Sequence, residues 1–408
     1  MKRFNRLLLI GVLFMHRALG QTNETLALLP KLLPASPEAA SFAKYGNFPV
    51  NLFSGMPDIS IPIFEIKVGE LDVPININYH ASGIRVNDYG SWVGLGWDLN
   101  AGGMITRKIM GKPDDQAGNY LSGQTVRLAG SINTSSQSDL DYLRGVYNGT
   151  YDCEPDIFSY NFPGKNGKFL YNQPNNFVPI IIPYDPIVIS RNSNLFDITD
   201  ERGVSYQFHD GEYTTSYAAG PVTQGMSAWV LTKMLSANKQ DTISFSYSQR
   251  FGQVSQDMSD LVIVNDLPTN YESSAPVDLG NNYSYTSFVS ADERKIQEID
   301  FVNGKIVFDA SSADRLDGFT GQKSLSDIRI YSYDPASLSY KLLKQVNFYQ
   351  SYFTSTPDNA IRSLRLDSIS ITDNGNAPVE KYRFTYNTQH FPRKDSKARD
   401  YWGYYNGK

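Results

Sequence analysis

The stretch from Ser82 to Arg107 constrains the fold of this chain most, because glycines and tryptophans are concentrated between Gly90 and Gly103. Glycine is needed where the backbone adopts positive φ, or where another group comes within a side chain's width. We therefore expect a series of tight bends whose spaces are filled by the two indoles, and we name this stretch the Gly/Trp knot. Its glycines are Gly90, Gly94, Gly96, Gly102 and Gly103, and its tryptophans are Trp92 and Trp97.

The known glycine-rich and serine motifs of enzymes do not fit this stretch. A phosphate-binding loop places Gly-Lys-Ser or Gly-Lys-Thr after the glycines, and a dinucleotide fingerprint needs a different glycine spacing followed by a helix. In Gly90-Ser91-Trp92-Val93-Gly94 the serine comes one position too early for a nucleophile elbow. We predict a structural junction between two strands, and no catalytic residue or cofactor site in this chain.

The Gly/Trp knot also carries a resemblance to a known family. The signature near the N-terminus of Rhs-type (YD-repeat) surface and toxin proteins is similar to Ser82-Gly83-Ile84, then Ser91-Trp92-Val93-Gly94-Leu95-Gly96-Trp97 and Leu99-Asn100-Ala101-Gly102-Gly103, with Ile105 and Arg107. Three later blocks extend the resemblance over nearly the whole chain. They are Pro155 to Phe162, Ser227 to Lys233 and Asp400 to Gly407.

The resemblance implies a structural role. Rhs-type proteins and the related B components of toxin complexes wind β-hairpins into a hollow shell around a C-terminal toxic or adhesive segment. Relatives continue beyond the block at Asp400 to Gly407 into the repeats, the shell-closing core and a variable effector. The resemblance therefore predicts an N-terminal wall segment without toxin activity, whose partner is a downstream YD-repeat segment or a shell partner chain.

Composition favours β-structure. Aromatic residues make up 13% of the chain, and 31 glycines and 21 prolines accompany them, which suits short strands and tight turns. We expect an all-β fold of mainly antiparallel hairpins, arranged as a sandwich or an open shell-like sheet, with one or two short helices. The clearest helical pattern runs from Ser138 to Tyr147.

The N-terminus reads as an export signal. Basic residues come first, an apolar run from Leu7 to Met15 follows, and Ala18-Leu19-Gly20 supplies a small-residue cleavage site before Gln21. The apolar run is shorter than the roughly 20 residues that span a bilayer, and no second run of that length occurs. We predict an exported protein without a transmembrane span, located in the periplasm, at the cell surface or outside the cell.

Charge and cysteine content exclude further classes. Removing residues 1–20 leaves 33 basic residues against 42 acidic ones, a net charge of -9, which argues against nucleic-acid binding. Cys153 is the sole cysteine, so an intramolecular disulfide is impossible, and we expect this thiol to be buried.

Residues alternate between apolar and polar from Ile59 to Ile63 and from Leu71 to Tyr79, which predicts a strand pair turned at Gly69-Glu70. Further hairpins are predicted around 163–167, 200–203, 238–239, 303–304 and 374–375, with another strand pair at 328–333 and 342–352. The expected divisions are a signal peptide (1–20), an extended lead-in (21–57), an N-terminal β domain (58–250) with the Gly/Trp knot (82–107), a polar loop (251–294), and a β-hairpin domain (295–408) leading toward the repeats.

Metal binding is not favoured by the sequence. His16, His80, His209 and His390 lie far apart and in no zinc spacing. Asp152, Glu154 and Asp156 alternate, so on a strand they would share one face and could hold a hard cation. An acidic rim before the strand at Ile157 is the interpretation we prefer, and no metal site is predicted.

Two other functions stay open at this stage. The many tyrosines could stack on sugars in a carbohydrate-binding or adhesive module, or could simply pack across strands. A glycoside hydrolase would need two carboxylates that converge in a cleft, and no pair is marked by its surroundings. An exposed line of aromatic side chains would favour binding of a surface glycan.

Overall fold

The computed structural model describes residues 55–407 except 117, 122–124, 174–175, 218–221, 265–278, 355–357, 359, 375–376 and 388–390. The expected export signal and nearly all of the expected lead-in lie outside these residues. The described residues belong to one compact unit, Leu52–Lys408.

Antiparallel strands make up most of the described chain, and one α-helix and one short 3-10 helix accompany them, which confirms the expected all-β fold class. The helix α1 (Gln137–Tyr147) lies where the sequence predicted it, and the 3-10 helix is Ala129–Ser131. The strands are β1 (Ile59–Val68), β2 (Leu71–Tyr79), β3 (Trp97–Asn100), β4 (Met104–Lys108), β5 (Ile157–Phe162), β6 (Lys165–Asn172), β7 (Val178–Ile182), β8 (Val188–Asn192), β9 (Leu195–Thr199), β10 (Ser205–Phe208), β11 (Asp210–Tyr217), β12 (Thr223–Val230), β13 (Lys233–Leu235), β14 (Thr242–Val264), β15 (Leu279–Phe301), β16 (Gly304–Ala310), β17 (Leu325–Asp334), β18 (Ser339–Tyr352), β19 (Leu364–Asp373) and β20 (Pro378–Arg383).

A small sheet of β1, β2 and β3 begins the described fold. The predicted strand pair and its turn at Gly69-Glu70 are confirmed, with Val68 opposite Leu71 at the turn. Leu71, Val73, Ile75 and Ile77 are all buried while the residues between them are exposed or half-buried. The alternation of apolar and polar residues in the sequence therefore correctly predicted that one face of β2 is buried.

The main sheet contains β4 to β20 and branches at β15, which pairs with β14, β11 and β16. One path runs from β15 through β11, β12, β4, β5 and β6 to β7. Another runs through β14, β13, β10 and β9 to β8, and a third through β16, β17, β18 and β19 to β20. The predicted hairpins appear as the pairs β5–β6, β9–β10, β13–β14, β15–β16, β17–β18 and β19–β20. Among the described residues β7, β8 and β20 each have one strand partner, so the sheet is open.

The expected polar loop at 251–294 is wrong in its secondary structure. Both of its described ends are strand, because β14 and β15 pair with each other from Ile243 opposite Phe301 out to Val264 opposite Leu279. Strand pairing is made by backbone groups, so a polar pair of strands needs no alternation of apolar side chains where it leaves the core. The main sheet therefore continues into both described parts of the interval where a loop was expected, 251–264 and 279–294.

Aromatic side chains fill the core between β5 and β6 on one side and β9 and β12 on the other. Phe158 stacks on Phe169 with ring centroids 4.9 Å apart, and Phe196 meets Trp229 edge-on at 4.8 Å. These four side chains are at most 1% exposed. Edge-on and offset pairs of this kind stabilise a core beyond the apolar area they bury.

The Gly/Trp knot joins the small sheet to the main sheet through its backbone. Leu95 N donates a hydrogen bond to the carbonyl of Leu364, and Leu325 N donates to the carbonyl of Trp92, at 2.8 and 2.7 Å. Gln350 donates from Nε2 to the carbonyl of Val93 at 2.7 Å. The knot backbone thus satisfies groups at the ends of three main-sheet strands, as expected for a structural junction.

Two of the glycines show why the knot needs them. Gly94 has φ of +153°, and a Cβ there would lie 3.1 Å from the amide nitrogen of Leu366. A Cβ on Gly103 would lie 2.6 Å from the Cβ of Phe162. Both conformational freedom and close approach are therefore used, in agreement with the expectation from sequence.

Both indoles of the knot are buried, as predicted. Trp97 is 4% exposed, packs against Tyr79 and Phe384, and donates from Nε1 to the Tyr386 hydroxyl at 2.8 Å. That hydroxyl in turn donates to the carbonyl of Leu366 at 2.7 Å. Trp97 therefore connects the small sheet to the last strands of the main sheet.

We predict that Trp97→Ala lowers the free energy of unfolding by about 3–5 kcal/mol, the usual cost of deleting a large buried aromatic side chain. Trp402→Ala is the matched control, because Trp402 is 69% exposed and its loss should change stability by less than about 0.5 kcal/mol. Denaturant unfolding of the three proteins tests this. Equal midpoints for the wild type and Trp97→Ala would contradict the assignment of the knot as a junction.

Candidate functional site

A cleft of about 470 Å³ lies beside the Gly/Trp knot, between the knot and the β14–β15 strand pair. We name it the knot cleft. It is lined by Tyr89, Gly90, Ser91, Trp92, Ser248, Gln249, Arg250, Val254, Glu293, Lys295, Ala310, Arg315, Gly321, Gln322 and Lys323.

The charges of the knot cleft are largely paired within the protein. Arg250 bonds Glu293 at 2.8 Å, and Lys295 approaches the same carboxylate at 3.3 Å. Lys323 pairs with Asp314 at 2.8 Å. An ion pair made inside the protein leaves little field for a ligand, so the cleft is polar but has no strong preference for anions.

Arg315 holds the wall of this cleft. Its guanidinium makes a two-pronged bond to Asp317 at 2.9 and 2.8 Å and donates to the carbonyls of Gly90 and Ser91. Asp317 also accepts from the Leu364 amide at 2.8 Å. Both charged side chains are buried, so their mutual pairing and these backbone contacts are what make the burial tolerable.

Lys394 extends the same network. Its ammonium is buried, donates to the carbonyls of Asp317 and Arg362 at 3.0 and 2.6 Å, and lies 4.9 Å from the centre of the Tyr89 ring. Burial lowers the pKa of Lys394 to about 8. Because its protons are committed to backbone carbonyls, Lys394 serves as a clamp between the C-terminal segment and the knot.

The acidic residues singled out in the sequence do not share a strand face. β5 begins at Ile157, after all three of them. Glu154 is exposed, whereas Asp152 and Asp156 are buried at 6% and 0% exposure. Both the alternating-face arrangement and the preferred interpretation as an acidic rim are therefore wrong, because two of the three carboxylates point into the protein.

Asp156 belongs to a buried ion pair. Arg107 on β4 donates from Nε to Asp156 at 2.6 Å and from Nη2 to Asp115 at 2.8 Å. Asp156 also accepts from the amides of Met110 and Asp114 at 2.8 and 3.0 Å. This set of contacts fastens the loop after β4 to the start of β5, and it commits Asp156 to a structural role.

Asp114 completes this acidic cluster. It accepts from the Asp156 amide through Oδ2 at 2.9 Å, while its Oδ1 and the Oδ2 of Asp152 are buried without a hydrogen-bond partner. Burial, reinforced by the neighbouring Asp156 charge, raises the pKa of Asp114 to about 7. Within the part of the chain that the structure describes, no three His, Cys, Asp or Glu residues are grouped so as to hold a metal ion.

The remaining sequence candidates do not converge. His80 bonds the Ser82 hydroxyl at 2.8 Å, and His209 bonds Asp197 at 2.9 Å; both histidines are exposed. His16 and His390 lie outside the described residues. Cys153 is half-buried rather than buried, with its Sγ 3.2 Å from the Tyr142 hydroxyl, which corrects the expectation of a fully buried thiol.

Sequence reasoning missed the pairing of the charged residues that organise these two regions, although Arg107 belongs to the family signature. These residues are Arg107, Asp114, Arg315, Asp317 and Lys394. Arg107 and Asp156 are 49 positions apart, and Lys394 and Asp317 are 77 apart. No local pattern marks such partners. The one available signal is Lys112-Pro-Asp-Asp-Gln116, whose turn composition points to a loop but not to its burial.

No family model matches the chain, and no curated protein matches it. Among the described residues, no helix has the length and apolar character needed to cross a membrane.

We predict that Asp114→Asn makes stability less sensitive to pH. The folded pKa of Asp114 lies above its ordinary value of 3.8, so the folded protein binds this proton more tightly than the unfolded chain. The stability it contributes is complete below about pH 4 and is lost as pH rises through about 7. The variant should therefore gain stability relative to wild type between about pH 4 and pH 8.

Thermal unfolding of both proteins across this pH range measures the difference. Asp141→Asn, on the exposed surface of α1, is the matched control and should track the wild type. A constant difference between Asp114→Asn and wild type at all pH values would show that Asp114 does not carry this proton.

Proposed function

We propose that the chain is an exported, non-enzymatic structural module that forms the N-terminal wall segment of an Rhs-type shell or surface protein. The observation that carries the proposal is the fastening of two sheets by the Gly/Trp knot. Backbone hydrogen bonds from Trp92 and Leu95 reach β17 and the start of β19, so the small sheet and the main sheet are tied together. A wall needs this kind of rigid connection, and the paired backbone groups fix how the two sheets meet.

The block at Asp400 to Gly407, one of the four that carry the resemblance, packs against the knot itself. Val86 N donates to the carbonyl of Gly403 at 3.0 Å, and the Tyr404 hydroxyl donates to the carbonyl of Ser82 at 3.2 Å. Two sequence blocks separated by about three hundred positions therefore meet in space. Their joint use in one junction supports the idea that the family signature encodes a structural unit.

An aromatic surface lies in this same block. Tyr401 is 95% exposed and Trp402 69%, and their rings meet edge-on at 5.8 Å. Large exposed aromatic side chains are typical anchors of protein interfaces. We propose that this pair is covered by the downstream YD-repeat segment, or by a partner chain that supplies it.

The arrangement of carboxylates also favours a structural role over a glycosidase. Asp114 and Asp156 do converge, but both are fully buried and are bound to each other's amides. A glycosidase acid and base must both reach a sugar in an open cleft. Glu293, which does line the knot cleft, is paired with Arg250.

We predict that residues 21–408 associate with a YD-repeat segment of an Rhs-type protein when the two are co-expressed. Replacing Trp402 and Tyr401 by Ala should weaken the association at least about tenfold, because both rings would lie at the centre of the contact. Tyr349→Ala is the control. It also removes an exposed aromatic ring (51% exposed), but this ring lies on β18 and outside the proposed contact surface, so association should not change. Size-exclusion chromatography with light scattering, followed by electron microscopy of the particle, is the measurement.

Separate elution of the two wild-type chains would overturn the proposal. If the double variant associates as strongly as the wild type, the shell proposal stands but the contact surface at Tyr401 and Trp402 is wrong.

Export is tested independently. Mass spectrometry of the protein from the producing cell should find a mature chain that begins at Gln21, because Ala18-Leu19-Gly20 precedes it. A cytoplasmic protein that retains Met1 would contradict this part of the proposal.

A further inference from the structure

Four exposed aromatic side chains share one face of the neighbouring strands β11, β15 and β14, and we name them the aromatic platform. Their side chains are exposed by 42%, 37%, 73% and 37%, in the order Tyr213, Tyr217, Phe251 and Phe288. None of the four lines the knot cleft. None of the structural roles described above uses them.

Strand register places the four rings in two rows. Tyr217 lies directly opposite Phe288, and the two rings stack with centroids 4.5 Å apart and planes inclined by 20°. Phe251 lies opposite Asp292, which is four residues along β15 from Phe288 and therefore on the same face. Tyr213 precedes Tyr217 by four residues on β11. At about 3.3 Å per residue, the two rows are about 13 Å apart.

A polar row separates the two aromatic rows. Thr215 pairs with Ser290, and Ser290 pairs with Gln253 on its other side. All three alternate onto the face that carries the aromatic rings. This row presents hydroxyl and amide groups and no charge, so it can both donate and accept hydrogen bonds.

The charged groups at one end of the platform are neutralised within the protein. Arg294 bonds Asp210 and also Asp292, each at 2.9 Å. Asp292 further accepts from Gln249 at 2.8 Å. The platform therefore offers rings and neutral polar groups, and its charge pattern matches an uncharged, polar ligand.

We propose that the aromatic platform binds a neutral polysaccharide. A pyranose ring has an apolar C–H face that stacks on an aromatic ring, and hydroxyl groups at its edge that bond to a polar row. A linear chain of sugars laid along the strand direction would meet rings, then hydroxyl and amide groups, then rings again. The apolar side chains of a protein partner would have to bury the middle row without hydrogen bonds, at a cost that a sugar avoids.

The flat face also fits an extended ligand better than a compact one. Small-molecule sites are concave and enclose most of their ligand, whereas this surface is an exposed sheet face. Many weak contacts along a chain are what such a surface can supply. This inference is independent of the shell proposal, since a glycan contact could anchor a wall segment or act without one.

The experiment uses isothermal titration calorimetry of residues 21–408 with defined hexasaccharides. The probes are the neutral cellohexaose, xylohexaose, mannohexaose and laminarihexaose, with hexagalacturonate as an acidic comparison. We expect at least one neutral hexasaccharide to bind with millimolar or tighter affinity, and hexagalacturonate to bind more weakly.

Two variants place the binding on the platform. Tyr217→Ala and Phe251→Ala should each weaken binding about tenfold, because each removes a ring at one end of the ligand. Phe251→Tyr keeps a ring and should retain binding. Tyr349→Ala, which removes an exposed ring on β18, should bind as the wild type does. Circular dichroism melts confirm that each variant is folded, which is expected because all three native side chains are exposed.

Three results would overturn the proposal. The first is an absence of binding by all four neutral hexasaccharides at millimolar concentration. The second is a preference for hexagalacturonate. The third is binding that Tyr217→Ala and Phe251→Ala leave unchanged in folded protein, which would place the sugar elsewhere.

Discussion

The close approach of the knot backbone to the ends of the main-sheet strands is the constraint on which the rest of the structure depends. Leu95 and Trp92 hydrogen-bond to Leu364 and Leu325, which requires main chain to lie against main chain with no side chain between. Glycine makes that contact possible at Gly94, and Trp97 then fills the neighbouring space. The junction and its packing depend on each other. Separating the knot backbone from the strands would leave unpaired backbone groups, and removing the Trp97 side chain would leave a cavity.

Buried charge follows from the same junction. Arg315 donates to knot carbonyls that no strand partner satisfies, and Asp317 neutralises the guanidinium that results. Lys394 then caps the Asp317 carbonyl and binds the C-terminal segment in place. Each charged side chain in this network therefore pairs with a polar group that would otherwise be buried without a partner. Removing one member of such a buried network would leave an uncompensated charge, which is strongly destabilising.

The sequence predicted the parts of the fold that one-sided burial imposes. β1 and β2 could be read from alternation because one face packs and the other meets water. The apolar pattern also located α1, although Leu140 and Leu143 of that pattern are exposed and Tyr142 is the buried residue of the helix. The strands within 251–294 could not be read, because Ser, Asn and Gln pair through their backbones and leave no periodic trace. The acidic cluster was misread for a related reason. Asp156 looks like part of a polar rim until Arg107, distant in sequence, is known to be its partner.

The aromatic platform is a second feature that could not be predicted from the sequence, in this case because its residue pattern fits both a core and a surface. On β15 a single face runs from the buried Ile296 through Arg294 and Asp292 to the exposed Phe288, so one alternating pattern covers both core and surface. A tyrosine or phenylalanine is compatible with either position, because its ring can pack against neighbouring strands in the core or bind a ligand at the surface. Whether a ring on this face is packed or exposed depends on how far along the strand other parts of the protein cover the sheet. The whole fold determines that extent. Function at such a face therefore has to be inferred from exposure and register together, because the residue type alone is compatible with both.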